Sequence, residues 1–282
     1  MRALSGRADL CSINTATLGF QRPLGEVIDA VARAGFGGIA PWRREVEGQD
    51  VAGLARQIRE AGLKVSGYCR STYIPAASKA GFRDNVAANR RALDDAARLG
   101  ASCFVMVVGS LPQGSKDLAG ARAQVKEATA ELLPHARQLG VRLALEPLHP
   151  VYAAERSCLT LLSEALDWCE EIEPAAASPA LGVAIDAYHV WWDPNLARDV
   201  GRARGRIAAF HVCDWLVPTS DVLNDRGMMG DGVIDLPGLR KLVEGAGYAG
   251  LVEAEIFSAQ NWWKRPIEDT LDVARQRFST CV

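Results

Sequence analysis

The sequence lacks the features that mark membrane, secreted and nucleic-acid-binding proteins. Among its 282 residues no apolar run is long enough to span a membrane. Residues 1–7 include two arginines, but no long apolar region follows them as it would in a signal peptide. Lys and Arg total 32 against 34 Asp and Glu, and no basic stripe provides a footprint for duplex nucleic acid. We therefore expect a cytoplasmic protein whose partners include neither a membrane nor a nucleic acid.

Paired cysteines and nucleotide-binding glycines are also missing. The seven cysteines are scattered and odd in number, and none forms a Cys-X-X-Cys pair. This pattern predicts reduced, buried thiols rather than disulfides or a zinc knuckle. No predicted strand is followed by Gly-X-Gly-X-X-Gly, which disfavours a doubly wound dinucleotide-binding sheet.

What the sequence does contain is a repeated alternation of strand and helix, with 49% hydrophobic residues to fill a large core. Several predicted helices end at a glycine, as expected for a left-handed C-terminal residue. Eight such units predict a single-domain α/β protein over residues 1–282, a (β/α)8 TIM barrel, with a doubly wound open sheet as the alternative. The predicted strands are 10–14, 37–40, 63–68, 102–108, 141–146, 181–186, 206–212 and 250–256. The predicted helices are 24–34, 51–61, 79–99, 115–139, 158–172, 195–203, 236–246 and 265–278, with a turn over 174–179 and a long loop over 213–235.

Four of the later strands end in a side chain that can bind a metal: Glu146, Asp186, His211 and Glu255. A strand buried on both faces should be continuously apolar, and the carboxyl ends of barrel strands meet at one mouth. Three carboxylates brought together repel one another, and a divalent cation removes that cost. Three oxygen ligands and one nitrogen ligand predict one divalent metal ion, with Mn²⁺ the first choice and Mg²⁺, Co²⁺ or Zn²⁺ left open.

The alternation of side chains along a strand supports this register. Ala144, Ala184 and Ala209 each lie two positions before a proposed ligand, on the same face of the strand. Glu253 takes that place before Glu255. We interpret Glu253 as an acid that lies beneath the metal ligands and holds them in place without binding the metal. The alternative is that Glu253 is itself the fourth ligand.

Other polar and aromatic residues near strand ends are candidates for substrate binding, because sites in this fold lie in those loops. They include His189, three residues after Asp186, and His149 in Glu-Pro-Leu-His-Pro. Arg226 lies in a loop with several glycines that could close over a substrate, although a solvated arginine is an equal alternative. Trp42 belongs with the tryptophans at 191, 192, 262 and 263, which either form the pocket wall or pack helices and subunits.

Five segments carry a resemblance to a known family. They are Leu-Glu146-Pro-Leu-His-Pro, Ile-Asp186-Ala-Tyr-His189-Val-Trp-Trp, Phe-His211-Val-Cys-Asp-Trp, Arg226-Gly-Met-Met-Gly-Asp-Gly and Val-Glu-Ala-Glu255-Ile-Phe. Over nearly its whole length the chain resembles the sugar phosphate isomerase/epimerase family of xylose isomerase-like barrels. That group includes ketose 3-epimerases, hydroxypyruvate isomerase, inosose dehydratase and, more distantly, endonuclease IV.

The resemblance implies roles for these residues. Glu146, Asp186, His211 and Glu255 would bind one divalent metal, Glu146 and Glu255 would also be the catalytic acid/base pair, and His189 would bind substrate. The implied reaction is isomerisation or epimerisation of a sugar-like hydroxy-ketone through an enediolate. The alternatives are dehydration of an inosose-like ketone, a non-catalytic sugar-binding barrel, and phosphodiester cleavage at a single metal.

Two departures from the family pattern narrow these expectations. The ends of strands three and four carry no histidine, which argues against a multinuclear site like that of endonuclease IV. No cluster that would grip a phosphate is visible, so the small-molecule sugar need not be phosphorylated. Apolar and aromatic residues near Trp262 predict a homodimer or homotetramer.

Overall fold

A computed structural model describes residues 2–174 and 178–282, and it confirms the predicted barrel. Nine short parallel strands form a nearly closed sheet in the order β3-β2-β1-β11-β8-β7-β6-β5-β4. Residues 175–177 of the predicted turn over 174–179 lie outside the described residues. The strands are β1 (Cys11–Asn14), β2 (Gly38–Ala40), β3 (Lys64–Val65), β4 (Tyr68–Cys69), β5 (Cys103–Met106), β6 (Arg142–Leu145), β7 (Leu181–Asp186), β8 (Ile207–Val212), β9 (Asp214–Trp215), β10 (Arg226–Gly227) and β11 (Val252–Ala254).

Helices bury their apolar faces against the sheet, and β1 pairs with both β2 and β11, so the first and last barrel strands are neighbours. The alternative of an open doubly wound sheet is therefore wrong. Helix α4 matches its predicted bounds because Ser78 caps its first turn and Gly100, with φ of 75°, ends it. Within the described residues, no helix has both the length and the apolarity to cross a membrane. The helices are α1 (Leu24–Arg33), α2 (Arg43–Val46), α3 (Val51–Glu60), α4 (Lys79–Leu99), α5 (Leu118–Leu139), α6 (Leu162–Ile172), α7 (Ala187–Val190), α8 (Leu196–Arg202), α9 (Leu236–Gly245) and α10 (Ile267–Thr280).

The predicted third strand is divided into β3 and β4. β3 pairs with β2 and β4 with β5, so the two pieces together occupy one of the eight strand positions. The interruption falls at Ser66–Gly67, where glycine weakens the strand. The Ser66 side chain bonds Ser12 and Glu253 instead of packing against apolar neighbours.

The long loop predicted over 213–235 contains regular structure. β9 and β10 form a two-stranded antiparallel ladder that pairs Arg226 with Trp215. The Asp214 side chain accepts hydrogen bonds from the backbone N–H groups of Gly230 and Ile234, and these bonds hold the end of the segment next to β9. The prediction of an irregular loop was therefore wrong, and Arg226 has a fixed position.

Candidate metal centre and active site

The four polar strand ends converge at one mouth of the barrel. Strands β6, β7, β8 and β11 are neighbours in the sheet, and the register places Asp186 opposite His211. Glu146 directly follows β6 and Glu255 directly follows β11. One ligand atom from each of Glu146, Asp186, His211 and Glu255 lies within 4.8 Å of the other three, and all four residues are buried.

His211 lies between two groups of acids. Its Nδ1 is 3.1 Å from Oε1 of Glu146 and 3.8 Å from Oε2 of Glu255, while its Nε2 is 3.5 Å from Oε1 of Glu253. Burial lowers the pKa of His211, but the charge of Glu253 and the hydrogen bond to Glu146 outweigh it and raise that pKa well above its usual value. The imidazole therefore makes its shortest polar contacts with carboxylates on both sides of the ring.

Two acids of the mouth, Asp186 and Glu255, have opposite pKa shifts. Burial, together with the nearby charges of Glu146 and Asp186, raises the pKa of Glu255 to about 8, although His211 and Arg226 oppose the shift. Burial also raises the pKa of Asp186, but Arg226, His189 and His211 outweigh it, so the net shift is downward. Of Asp186 and Glu255, it is therefore Glu255 whose ionised form the surrounding protein disfavours.

This donor set fits a divalent cation. An ion with bonds of roughly 2.1 Å can hold ligand atoms up to about 4.2 Å apart, so a contraction of a few tenths of an ångström would close the site. Two positive charges among Glu146, Asp186 and Glu255 would also remove the repulsion that, together with burial, raises the pKa of Glu255. Three carboxylates and one imidazole suit Mn²⁺, Mg²⁺, Co²⁺ or Zn²⁺ by ligand type.

Glu253 lies one layer deeper than the converging set. Its Oε1 accepts a hydrogen bond from Nδ2 of Asn14 at 2.9 Å, and its Oε2 accepts one from Oγ of Ser66 at 2.6 Å. Among the described residues Glu255, and not Glu253, belongs to the group that can share one ion. Nε2 of His211 lies 3.5 Å from Oε1 of Glu253 and has no hydrogen-bond partner among the described residues, so Glu253 faces the ring nitrogen that would point away from a metal bound at Nδ1.

Small side chains fill the barrel beneath the ligands. Ala144, Ala184 and Ala209 are buried and pack together in one cluster with Cys69, Cys103 and Val105. This arrangement agrees with the register inferred from the alternation. It leaves space in the barrel interior for Glu253 and its hydrogen-bond donors.

Arg226 is buried against the acids of the mouth, so the alternative of a solvated arginine is wrong. Its Nη1 lies 3.0 Å from Oδ2 of Asp186 and 3.4 Å from Oε2 of Glu255. The guanidinium carbon lies 4.3 Å from the ring centroid of Tyr188 and 4.9 Å from that of Phe257. The hairpin therefore supplies a fixed positive charge beside two of the candidate ligands.

His189 lies on α7, one turn after Asp186. Its Nε2 is 3.5 Å from Oδ2 of Asp186 and 3.3 Å from Nη2 of Arg226. Burial lowers the pKa of His189 to about 3, so the imidazole is neutral at physiological pH. Its Nδ1 is buried and has no hydrogen-bond partner among the described residues, which leaves that atom available to a ligand.

Trp42 forms part of the cavity wall. Its Nε1 donates to Oδ1 of Asn14 at 2.7 Å, and its ring meets that of Phe257 edge to face at 5.4 Å. The tryptophans at 262 and 263 pack elsewhere: Trp262 is 5% exposed, and Nε1 of Trp263 donates to the backbone oxygen of Ala16. Trp262 is not in an exposed loop, so it gives no support to the expected subunit interface.

His149 lies apart from the converging groups. Its ring is 5.0 Å from that of Trp215 and 5.6 Å from that of Trp192, and its Nδ1 accepts the N–H of Val151. It caps a short 3-10 turn, and it does not line the cavity formed by the described residues. Sequence position at a strand end placed His149 near the mouth but did not reveal the direction of its side chain.

The cavity at the mouth brings predicted and unexpected residues together. The empty space between its lining side chains, including the opening to solvent, is about 370 Å³. Asn14 was not among the residues predicted for the site. Its side-chain NH2 group donates hydrogen bonds to both Glu253 and Glu255. The cavity lining is Trp42, Cys69, Arg70, Val105, Val107, Glu146, Leu148, Tyr152, Arg156, His189, Leu223, Arg226, Glu255 and Phe257.

Comparison with known families agrees with this geometry. The model of the xylose isomerase-like TIM barrel family matches residues 28–277. The chain belongs to this family. No functionally curated protein matches the sequence. Protein SMc04130 of Sinorhizobium meliloti 1021 has a solved structure with 49% identity and a TM-score of 0.94, over 98% of this chain and 99% of that one.

Two other solved xylose isomerase-like barrels share the fold at low identity. The IOLI protein, whose structure has a bound zinc atom, is 17% identical with a TM-score of 0.79, and the match covers 95% of each chain. D-psicose 3-epimerase, crystallised in the presence of D-fructose, is also 17% identical, with a TM-score of 0.77 over 95% of this chain and 96% of that one. At this identity the similarity establishes the fold alone.

Proposed function

We propose that this xylose isomerase-like barrel is a metal-dependent isomerase or epimerase that acts on a sugar-like hydroxy-ketone through an enediolate. The observation that carries the proposal is the convergence of Glu146, Asp186, His211 and Glu255 within 4.8 Å at the mouth of the barrel. A divalent cation held there, Mn²⁺ by preference, would supply Lewis acidity to the carbonyl and neighbouring hydroxyl oxygens. The names of structural neighbours, a D-psicose 3-epimerase and a 3-keto-D-glucoside 4-epimerase, support a reaction of this kind.

Glu146 and Glu255 are the proposed acid/base pair. They come from different strands, and both line the same cavity. One carboxylate takes the proton from the carbon next to the carbonyl, and the other returns a proton to the enediolate. Return to the opposite face of the same carbon gives epimerisation, whereas return to the neighbouring carbon gives isomerisation.

The remaining mouth residues orient the substrate and keep water away. The neutral His189 has a free Nδ1 that can hydrogen-bond a substrate hydroxyl. Arg226 holds Asp186 and Glu255 and places a positive charge beside the developing enediolate. Trp42 and Phe257 form an apolar wall that limits solvent access to the reacting carbon.

Solvent exchange tests this proposal directly. Protein with Mn²⁺ is incubated with neutral and charged ketoses in D₂O, and deuterium incorporation beside the carbonyl is followed by NMR. We expect Glu255→Gln to reduce exchange by about 10²–10⁴-fold. The control is Glu268→Gln, because Glu268 is an exposed partner of Arg22 and should leave exchange unchanged.

Each contrary outcome has a defined meaning. Exchange that survives in Glu255→Gln removes Glu255 from proton transfer. Ligand binding without exchange in the wild type identifies a non-catalytic sugar-binding barrel. Loss of water from the ketose identifies a dehydratase that uses the same scaffold.

Cytoplasmic location and self-association are separate proposals. All seven cysteines are free thiols, which suits a reducing compartment. Cell fractionation tests the location, and light scattering coupled to size-exclusion chromatography tests the homodimer or homotetramer.

A further inference from the structure

Two arginines in the cavity have no carboxylate partner. Arg70 directly follows β4, Arg156 precedes α6, and both line the same space as Glu146 and Glu255. Neither arginine forms an ion pair with any described residue, whereas Arg226 in the same cavity is paired with two acids. Two of the three guanidinium groups that line the cavity therefore carry uncompensated positive charge.

Both arginines are held by aromatic stacking rather than by charge. The guanidinium carbon of Arg70 lies 4.5 Å from the ring centroid of Tyr73, and that of Arg156 lies 5.6 Å from Tyr152. The two tyrosines belong to one small apolar cluster beside the cavity. Nη1 of Arg70 donates to the backbone oxygen of Ser71, and the buried Nε of Arg156 has no partner among the described residues. Most of their donors remain free.

Backbone hydrogen bonds fix the two arginines on either side of β5. Next to Arg70, the N–H of Ser71 donates to the backbone oxygen of Val105 at 3.1 Å. On the other side, the backbone oxygen of Arg156 accepts the N–H of Gly109 at 3.0 Å. Gly109 has φ of 85°, and a Cβ there would lie 2.6 Å from the Tyr73 side chain, so this close approach requires glycine. The backbone at both arginines is therefore anchored to the segment that contains β5.

Placing two guanidinium groups in one partly buried cavity is unfavourable. Burial lowers the pKa of Arg70, and repulsion from Arg156 acts in the same direction. An oxyanion between the two groups would reverse this cost, because a guanidinium binds carboxylate or phosphate oxygens through paired N–H donors.

We propose that Arg70 and Arg156 form an oxyanion subsite, so that the hydroxy-ketone substrate carries a carboxylate or a phosphate group. This inference rests on the proposed function, since it names the substrate class of the same site. The acidic group would bind between the two arginines while the ketone end lies at Glu146 and Glu255.

Binding measurements with matched ligands test this subsite. Calorimetry on the Mn²⁺-loaded protein compares D-fructose with D-fructose 6-phosphate and with 2-keto-D-gluconate, one neutral ketose and two acidic ones. We expect the better acidic ligand to bind at least about tenfold more tightly than D-fructose, and the order of the two distinguishes phosphate from carboxylate. This wild-type comparison needs no variant to fold.

Variants then assign the preference to the pair. The double variant Arg70→Gln/Arg156→Gln should reduce the ratio of acidic to neutral affinity to near one. Arg44→Gln is the matched control, since Arg44 is exposed, stacks on Phe20 and does not line this cavity. It should keep the wild-type ratio.

A second arm uses inorganic phosphate on protein stripped of metal with EDTA, so that the anion cannot bind through a cation. We expect phosphate to bind the wild type and Arg44→Gln more tightly than the double variant. Equal affinities in this arm, no preference for either acidic ketose, or an equal loss of affinity for acidic and neutral ligands would each overturn the subsite. Deuterium exchange, which is followed with both neutral and charged ketoses, tests the proposed function separately, so either idea can fail while the other survives.

Discussion

Two layers of the barrel hold acids in different ways. In the interior layer, Glu253 receives hydrogen bonds from Asn14 and Ser66 on its two oxygens. At the mouth, Glu255 is only two residues further along the chain, and its contacts are the same Asn14 amide at 3.0 Å and Arg226 at 3.4 Å. It also faces the charges of Glu146 and Asp186, which contribute to raising its pKa.

Two acids in one short segment therefore have different roles: Glu253 holds neighbouring side chains in place, and Glu255 is a candidate metal ligand and catalytic residue. Each oxygen of Glu253 accepts a hydrogen bond of 2.9 Å or less, whereas Oε2 of Glu255 has only a longer contact of 3.4 Å with Arg226. The acids of the mouth repel one another, and that repulsion favours a bound cation. The following predictions test whether the two layers really differ.

The largest effect is expected for Asp186→Asn at the mouth. The change removes a candidate ligand and one of the two acids that pair with the buried Arg226. Mn²⁺ affinity, measured by calorimetry, should fall more than about 100-fold, beyond the range seen for residues that only orient a ligand. The free energy of unfolding in EDTA should fall by about 3–5 kcal/mol in denaturant titrations, the usual cost of breaking a buried pair.

The control for this change is Asp193→Asn, because Asp193 lies just beyond α7 and its Oδ1 accepts only the N–H of Asn195. It should retain the wild-type affinity for Mn²⁺. If Asp186→Asn binds Mn²⁺ as tightly as the wild type, the proposed metal centre is wrong.

A smaller effect is expected for Glu253→Gln in the interior layer. Glutamine keeps the shape: its oxygen can accept from Asn14, and its NH2 can donate to Oγ of Ser66, which reverses the direction of that hydrogen bond. It removes the charge that faces Nε2 of His211. Mn²⁺ affinity should fall by about 10–100-fold, as for other groups that orient a metal-binding histidine. Ser66→Ala, which removes one hydrogen bond to Glu253, should have less effect. If Glu253→Gln lowers Mn²⁺ affinity as much as Asp186→Asn does, the interior acid and the acids of the mouth contribute equally to metal binding.

The smallest effect is expected at a buried acid far from the metal centre. Glu173 follows α6 and accepts hydrogen bonds from Arg137 at 2.6 Å and from the N–H groups of Leu181 and Ala180. Glu173→Gln should lower the free energy of unfolding by about 1–3 kcal/mol at pH 7, in urea titrations. Glu171→Gln on the same helix removes only an exposed pair with Lys126 and should change it by less than about 1 kcal/mol.

The pH dependence of the Glu173→Gln effect has a definite sign. Burial raises the pKa of Glu173, but the hydrogen bonds from Arg137, Leu181 and Ala180 outweigh it and the net shift is downward. The ionised form is therefore favoured in the folded state. Its contribution should be complete above the unfolded pKa of about 4.3 and should disappear as the pH falls through the lower folded value. A difference between wild type and variant that grows on acidification would contradict this account.

Some elements were predictable because their signals are local. The bounds of β7, Leu181–Asp186, follow from an apolar run that stops at a carboxylate. The division of β3 from β4 was missed, because a glycine within an apolar run does not show whether the strand continues. Arg226 was placed in a loop without a partner, since pairing within the β9–β10 hairpin depends on contacts rather than on periodicity.

The candidate site divides in the same way. Glu146, Asp186, His211 and Glu255 were recognisable because each interrupts an apolar pattern where a strand ends. Asn14 ends the first strand as those residues end theirs, but its amide is neither a charged metal ligand nor an acid. Arg70 and Arg156 carried no comparable signal, because an arginine in a loop is also what an ordinary surface contains.

The sequence by itself determined the barrel and the four polar strand ends, because burial imposes its pattern on neighbouring residues. Only the tertiary structure decided that Glu255 rather than Glu253 faces the mouth, that Arg226 is buried against Asp186, and that Arg70 and Arg156 line one cavity. These outcomes depend on closure of the sheet, which brings together side chains that are far apart in the chain and whose directions no local pattern records.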